Sequence, residues 1–380
     1  MILAYSSRRP FRIMPMNVSR VGHLAIDTEF ALSEMDTLPA EVRPRLFVVP
    51  FRVDLPVANR DLLRLWKINV RSIPQWFGES LIWLMSFFSR SRKLSYLPPK
   101  GIAGRFTWGH DPFGVTAYGE SHLRIPTQEL LNAYQSLEEM GLDLAQPFVC
   151  LHVRDGHYHK QHSRSTWQES KRWRNIELQS FGPALEVLVR EGFQVVRLGV
   201  HAKERLPGAD EKRIFDYATN GFRSGLLDIV LASKCDFMIS TSSGIDSLAQ
   251  VFRKPLYLVG IVAPSQLCIH RRCFSIVQRF FNSGHGRNLS LTESSLLALP
   301  STSDADLAAL GLVPVQNTPE EIAALASEAV LRSKGVWNPT VEDLEMHNRF
   351  LALLPTEFLR FPIRGGIGSG FLQKHQDWLN

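Results

Sequence analysis

The sequence predicts an α/β protein built on parallel β-sheets. Between residues 146 and 335, short apolar runs of strand length alternate with stretches that have the spacing of amphipathic helices. Short and mostly apolar strands are typical of parallel sheets, because helices cover both faces of such a sheet. An alternation of strands and helices indicates that the helices serve as crossovers between parallel strands. The length of 380 residues is enough for two domains.

The N-terminal region is α/β as well, but its pattern is less regular. Gly22–Ile26 and Leu46–Phe51 are predicted strands, and Ala58–Trp66 is a predicted helix. Residues 100–124 are rich in glycine, proline and aromatic side chains, which is typical of a loop. We expect residues 1–145 to form an N-terminal α/β domain.

The second region shows its elements clearly. Its predicted strands are Pro147–Val153, Phe193–Leu198, Phe237–Ser240 and Pro255–Val259. Its predicted helices are Phe181–Glu191, Leu226–Lys234, Ile245–Phe252 and Thr318–Lys334. The last helix begins with Thr318, Pro319 and Glu321, which together match a capping box. Residues 146–335 should therefore form a C-terminal α/β domain, followed by a helical extension at residues 336–380.

The positive charge is concentrated in the first quarter of the chain. Residues 1–100 hold 15 Lys and Arg against 8 Asp and Glu, whereas the remainder holds 28 against 29. Such a field attracts anions, phosphates or a membrane surface. No basic helix with interleaved aromatic residues and no zinc-finger spacing accompanies it, so no nucleic-acid partner is expected.

The expected location is the cytoplasm, with the inner face of a membrane as a second site. The four cysteines lie far apart with no C-x-x-C, which is typical of free thiols in a reducing compartment, and no signal peptide is recognisable. Leu81–Phe88 is strongly apolar but too short to span a bilayer. It is either a core helix or, with the cations Arg90, Arg92 and Lys93 that follow, a helix lying in a membrane interface.

Three polar residues follow the first strand of the second region. His152, Arg154 and Asp155 lie where the strand Pro147–Val153 ends, and ligands of open α/β sheets bind at the carboxyl ends of strands. The planar guanidinium of Arg154 suits a diphosphate, although a surface arginine paired with a carboxylate has the same sequence pattern.

Four histidines, His152, His157, His159 and His162, lie within eleven residues of that strand end. Their spacing matches no zinc motif and no cysteine accompanies them, so no metal is expected.

Two further groups of polar residues are candidates for binding an anion. Thr241, Ser242, Ser243 and Gly244 form the turn between a strand and a helix, where backbone N–H groups can hold a phosphate. An ordinary helix cap is the alternative. Arg174 and Asn175 supply donors near the end of the first strand, unless they are solvated residues at a helix start.

The N-terminal segment from Arg20 to Glu29 contains a candidate general base. His23 has a pKa near neutrality in its ordinary state, which suits proton abstraction. Asp27 and Glu29 are rival bases, and a structural role for all three is the alternative.

As a set, these motifs resemble those of a family of bacterial glycosyltransferases linked to surface polysaccharide synthesis. The matching segments are Arg20–Ala25, His152–Gly156, Arg174–Ile176, Val195–Gly199, Phe215–Ala218, Leu227–Ile229, Cys235–Phe237, Ser242–Gly244 and Arg253–Pro255. More distantly, the H-x-R at His152–Arg154 is similar to the donor-phosphate motif of fucosyltransferases. The resemblance implies two facing Rossmann-like domains, the GT-B arrangement, without an obligatory metal. It adds Arg197, Gly199, Asp216, Tyr217 and Asp228 to the residues expected to bind a nucleotide sugar.

The expected activity is therefore transfer of a sugar from a nucleotide-diphosphate sugar to a hydroxyl group, with no cofactor. The acceptor would be a glycan or a polyprenyl-linked molecule. Two alternatives remain open: a nucleotide-sugar 2-epimerase of the same fold, and a binding module without turnover.

Overall fold

The computed structural model describes residues 11–51, 56–78, 80, 114–117, 119–154, 172–200, 202, 204–209, 212–262, 266–297, 302–354, 356, 359 and 362–380. Its N-terminal part is a small parallel sheet with the strand order β1-β2-β3. The strands are β1 (Phe11–Asn17), β2 (Arg45–Phe51) and β3 (Arg71–Ser72). The helices that connect them are α1 (Val21–Asp36) and α2 (Arg60–Asn69). The predicted strand Leu46–Phe51 and helix Ala58–Trp66 are confirmed, and β1 was not predicted.

The predicted strand at Gly22–Ile26 is wrong, because these residues form the first turns of α1. Residues 24–31 are all buried, so the helix is enclosed on every side. A helix without a solvent face carries no amphipathic pattern, and its apolar run looks like that of a buried strand.

The second part begins with α3 (Thr127–Glu139) and contains a sheet of seven strands, all paired in parallel. Its strands are β4 (Phe148–His152), β5 (Gln194–Arg197), β6 (Ile214–Phe215), β7 (Phe237–Ser240), β8 (Leu256–Ile261), β9 (Cys273–Val277) and β13 (Gly366–Ile367). The helices interleaved with the first six strands are α4 (Gly182–Arg190), α5 (Gly225–Lys234) and α6 (Asp246–Val251). The predicted fold class, α/β with Rossmann-like parallel sheets flanked by helices, is confirmed.

The order of the large sheet is β13-β9-β8-β7-β4-β5-β6. The chain leaves the central strand β4 toward β5 and β6, then returns to place β7, β8 and β9 on the other side. This is the order of a doubly wound sheet, and its direction reverses between β4 and β7. The carboxyl ends of these two strands therefore flank the crevice in which such sheets bind ligands.

The C-terminal part adds a small antiparallel sheet and several helices. The sheet consists of β10 (Arg279–Asn282), β11 (Arg287–Asn288) and β12 (Leu312–Val315), in the order β11-β10-β12. The helices are α7 (Leu291–Leu296), α8 (Asp304–Ala309), α9 (Pro319–Ser333), α10 (Val341–Ala352) and α11 (Ser369–Lys374). The capping box that begins α9 at Thr318 is confirmed. The extension after residue 335 is not only helical, because β13 pairs with β9 in the large sheet.

The two parts of the molecule meet along α1. This helix packs against β1 on one side and α6 on the other, while α2 packs against α5. Glu29 of α1 is fully buried and forms an ion pair with Arg253, 2.6 Å apart. Arg253 also donates to the Ser33 hydroxyl and to the carbonyl of Glu120. A buried carboxylate thus joins the N-terminal helix to the segment that follows α6.

No helix in the described ranges is long and apolar enough to cross a membrane. Leu81–Phe88 and the cations after it lie outside the described residues, as does most of the loop predicted at residues 100–124, of which Val115–Ala117 form a short 3-10 helix. All four cysteines are free and buried.

The first prediction concerns the ion pair between Glu29 and Arg253. Glu29→Gln should lower the free energy of unfolding by about 3–5 kcal/mol, because the ion pair of a fully buried carboxylate with a partly buried guanidinium would be broken. Chemical denaturation measures the effect. The control is Glu129→Gln, which removes the exposed partner of Arg64 and should cost about 1 kcal/mol or less. Equal losses in the two variants would contradict the assignment of Glu29 as the ion that holds the two parts together.

Candidate functional site

The candidate site lies at the reversal point of the large sheet. β4 and β7 are paired there, with His152 opposite Ser240. Just beyond the two strands, the backbone N–H of Arg154 donates to the Thr241 hydroxyl, 2.7 Å away. This bond fixes the loop after β4 against the turn after β7.

Two arginines, the buried Arg154 and the partly buried Arg174, converge on this point. Arg154 is only 8% exposed, and burial, aided by the nearby charge of Arg174, lowers its pKa to about 10. Burial also lowers the pKa of Arg174, against a smaller opposing effect of Asp246. The Arg174 guanidinium donates to the carbonyl of Ser242 across 3.3 Å. Two neighbouring guanidinium groups whose charged forms are disfavoured by burial are suited to share one multiply charged anion.

The turn after β7 has an unusual backbone. Ser242 has a φ of 55°, in the left-handed region that residues with a side chain rarely adopt. The N–H of Ser243 already donates to a carboxylate oxygen of Asp246, 3.0 Å away. The amide of Ser243 is thus occupied by a protein carboxylate.

Asp246 was not predicted from the sequence. The pattern that reveals it is Ser243-x-x-Asp246, the spacing of a side-chain cap at a helix start. It is 4% exposed and lies close enough to Arg174 to act on its pKa.

A close contact between two glycines brings α1 to this turn. A Cβ atom at Gly22 would lie 3.0 Å from the Cα of Gly244 and 3.3 Å from the Ser247 hydroxyl. A Cβ atom at Gly244 would lie 3.1 Å from the backbone nitrogen of Gly22. Only residues without side chains allow this approach, and it places His23, the next residue of α1, beside the arginine site.

His23 and Asp27 form a pair on α1. The Nδ1 atom of His23 lies 3.2 Å from Oδ2 of Asp27, one helical turn away. Asp27 is 3% exposed, and burial raises its pKa, while the hydrogen bond to His23 acts in the opposite direction. The His23 side chain is partly exposed.

Glu29, the third candidate base, is in a different place. Besides Arg253, it contacts His122, whose Nδ1 lies 3.0 Å from Oε1 of Glu29. The other ring nitrogen of His122 lies 2.7 Å from Asp36, and these contacts raise the pKa of His122. The structure therefore places Glu29 in an ion-pair cluster and not with His23 and Asp27.

Arg197 and Asp216 face each other inside the protein. Their side chains form a buried ion pair with a separation of 3.4 Å, and Asp216 also accepts the N–H of Leu206. These contacts hold the loop between β5 and β6.

Tyr217 and Asp228 lie near the start of α5. The Tyr217 hydroxyl donates to the carbonyl of Ser224 and accepts its N–H. Asp228 pairs with Arg223 at 2.7 Å, and burial raises the pKa of Asp228 to about 6. Neither side chain shows a bond to the Arg154 group, so their predicted binding roles stay predictions.

The other predicted residues are distributed around the strand ends. The Nδ1 atom of His152 lies 3.1 Å from the carbonyl of Leu198, next to Gly199. Asn175 follows Arg174 directly and is partly buried. Trp173 is buried against Phe280 and cannot stack on a ligand without leaving that core.

The histidine-rich segment after β4 lies outside the described residues, apart from His152. Asp155, Gly156, His157, His159 and His162 lie outside the described residues. Within the described ranges, no group of three or more His, Cys, Asp or Glu residues could hold a metal ion.

Comparison with known proteins gives only distant structural matches. No protein-family model matches the chain, and no curated protein matches it. The ADP-heptose LPS heptosyltransferase II of E. coli is 14% identical, covers 85% of this chain and 100% of its own, and has a TM-score of 0.48. The glycosyl transferase family 9 protein of Veillonella parvula is 9% identical, with coverages of 85% and 98% and a TM-score of 0.49. The UDP-GlcNAc 2-epimerase of Neisseria meningitidis is 12% identical, with coverages of 66% and 83% and a TM-score of 0.31. These values are too low to carry an argument about activity, which must come from the site itself.

The second prediction concerns the contact between the two glycines. Gly22→Ala should push α1 away from the turn and cost about 1–3 kcal/mol of stability, because the new methyl group has no space. It should also weaken the binding of nucleoside diphosphates, measured by calorimetry. The control is Gly182→Ala in α4, where a Cβ would meet nothing within 4 Å. If Gly22→Ala is as stable and binds as well as the control, the close contact does not shape the site.

Proposed function

We propose that the protein is a glycosyltransferase that moves a sugar from a nucleotide-diphosphate sugar to a hydroxyl acceptor. The observation that carries this proposal is the convergence of two guanidinium groups, of the buried Arg154 and the partly buried Arg174, at the reversal point of a doubly wound sheet. A second element, the pair of His23 and Asp27, is brought beside them by the contact of Gly22 with Gly244.

Glycosyl transfer first requires that the departing diphosphate be stabilised, and the two arginines would provide this stabilisation. Negative charge develops on the phosphate oxygen as the bond to the sugar breaks. Positive groups fixed in a site of low polarity stabilise such charge more strongly than the same groups in water. The Thr241 and Ser242 hydroxyls lie at the same turn and add donors.

Glycosyl transfer also requires a base that takes the acceptor proton, and the pair of His23 and Asp27 on α1 would provide it. Of the three predicted bases, Glu29 is held in the ion pair with Arg253. His23 is partly exposed beside the turn, so it is our choice for the group that takes the proton. Attack by the acceptor from the side opposite the diphosphate would invert the anomeric centre.

The finer parts of the proposal follow from the resemblance of the motifs. The donor would be held by residues 146–335 and the acceptor by residues 1–145, at the crevice between them. A glycan or a polyprenyl-linked acceptor, a pathway of bacterial surface polysaccharide or glycoconjugate synthesis, and attachment of the basic N-terminal quarter to the inner face of the membrane belong to the same proposal. The arginines would replace a metal in charge neutralisation, which predicts activity in the presence of a chelator.

The experiment has two stages. Thermal-shift measurements with ADP, UDP, GDP and dTDP identify the nucleotide, because a ligand of the folded state raises the midpoint of unfolding by mass action. The matching nucleotide sugars are then incubated with and without acceptor alcohols. Release of nucleoside diphosphate that depends on the acceptor is the expected result. Conversion of the nucleotide sugar without an acceptor would indicate an epimerase, and binding without either reaction would indicate a binding module.

The third prediction separates ligand binding from folding at Arg154. Arg154→Met keeps a long side chain but removes a charge that burial and Arg174 disfavour. We expect nucleoside diphosphate to bind about 10- to 100-fold more weakly, as for the loss of charge-assisted hydrogen bonds. The unfolding midpoint of the unliganded variant, measured alongside, shows whether the variant is still folded.

The control for this prediction is Arg287→Met, which removes a guanidinium paired with Glu293 at the surface. It should leave the affinity for nucleoside diphosphate unchanged. Unaltered affinity in Arg154→Met, measured by calorimetry at the same salt concentration, would contradict the assignment of Arg154 to the phosphates.

A further inference from the structure

Asp27 has an arrangement that differs from that of Glu29, the other buried carboxylate on α1. One of its oxygens, Oδ2, lies 3.2 Å from Nδ1 of His23. The other, Oδ1, is buried and has no hydrogen-bond partner among the residues that the structure describes. Glu29, two residues further along, instead contacts Arg253, His122 and Ser33.

Burial excludes Asp27 from direct contact with an acceptor. A general base must come within about 2.6–3.2 Å of the proton that it takes, or reach it through one water molecule. The Asp27 side chain is 4% exposed, whereas that of His23 is 19% exposed. An acceptor hydroxyl can therefore reach the imidazole but not the carboxylate.

A buried carboxylate with a single partner is costly to keep in a folded protein. The contact of the Asp27 carboxylate with the imidazole of His23 gives a functional reason for keeping this carboxylate buried. A carboxylate on one ring nitrogen fixes the tautomer and the orientation of the ring and stabilises the imidazolium that forms when the other nitrogen takes a proton.

We propose that Asp27 is the positioning residue of His23 and contacts no substrate itself. Nδ1 of His23 keeps its proton and donates it in a hydrogen bond to Oδ2 of Asp27, which assigns proton uptake to Nε2. This inference rests on the proposed function, because it names how the base of that reaction is oriented.

The acceptor oxygen forms a bond to the anomeric carbon, and the bond between that carbon and the phosphate oxygen breaks, with its electron pair leaving on the nucleoside diphosphate. The proton of the acceptor hydroxyl moves to Nε2 of His23. The imidazolium stays paired with the Asp27 carboxylate until it releases the proton to solvent.

The charged groups near this pair come from two neighbouring elements. Asp246 follows the turn that contacts Gly22, whereas Arg253 and Arg271 contact Glu29 and the ring of Phe30, which lie beyond Asp27 on α1. The described contacts of Asp27 itself include only His23, so a change at Asp27 acts first on the imidazole.

The test, our fourth prediction, compares Asp27→Asn with His23→Gln. Each should lower kcat by about 10²–10⁴-fold, the usual contribution of a positioned base, with the KM for the donor nearly unchanged. The double variant should be no slower than His23→Gln alone, because a positioning residue has nothing to position once the base is gone.

A second readout does not depend on turnover. The ¹⁵N shifts of the His23 ring, assigned by their absence in His23→Gln, report which nitrogen carries the proton. The wild-type protein should hold the neutral ring with the proton on Nδ1. Asp27→Asn should shift the population toward the Nε2-protonated tautomer, because the amide can donate to Nδ1.

The matched control is Glu328→Gln. Glu328 is also a buried helical carboxylate paired one turn away, with Arg332 of α9, and burial raises its pKa as well. This variant should lose stability without a change in kcat or in the His23 signals.

The outcomes separate the inference from the proposed function. A wild-type protein without transferase activity but with the expected tautomers would contradict the proposed function and leave the pairing of Asp27 with His23 supported. Full activity of Asp27→Asn, or unchanged His23 tautomers in that variant, would overturn the inference. Loss of activity in Asp27→Asn together with an active His23→Gln would identify Asp27 as the base itself and overturn it too.

Discussion

The burial of α1 on all sides is the constraint on which the rest of the arrangement depends. The helix fills the space between the small sheet and α6, so eight successive residues, 24–31, lose contact with solvent. Apolar residues in that run gain the hydrophobic free energy of burial, but Asp27 and Glu29 must be compensated by specific partners. Glu29 is compensated across the two parts of the molecule by Arg253, and Asp27 by His23 on the same helix. The same packing presses the start of α1, at Gly22, against the turn at Gly244.

This packing combines two chemically different halves into one site. The large sheet supplies positive charge at its reversal point, because the loops after β4 and β7 are tied together by the bond from Arg154 to Thr241. The small sheet supplies the imidazole of His23 through α1. Burial is unfavourable for both halves taken alone, since it disfavours the charged guanidinium of Arg154 and the ionised carboxylate of Asp27. The left-handed backbone of Ser242 is also unfavourable on its own. Strained or desolvated groups are found more often at functional sites than elsewhere.

Sequence reasoning recovered the elements with a simple period and missed those set by tertiary contact. β4, β7 and β8 are buried on both faces and were predicted from continuous apolar runs. α1 was taken for a strand because an enclosed helix has no polar face. β13 is a pair of residues, Gly366 and Ile367, whose strand conformation comes only from pairing with β9. In the candidate site, Arg154, Arg174 and His23 were predicted from residue type and position. The contact between Gly22 and Gly244, which brings α1 to the turn after β7, links residues too distant in sequence for any local pattern to reveal.

We propose that the two arginines at the reversal point hold the diphosphate of a nucleotide sugar. A crystal structure with the nucleoside diphosphate that gives the largest thermal shift tests it most directly. We expect phosphate oxygens to lie about 2.7–2.9 Å from the guanidinium nitrogens of both Arg154 and Arg174, at the carboxyl ends of β4 and β7. A diphosphate bound elsewhere on the protein, with neither guanidinium in contact with it, would contradict the claim.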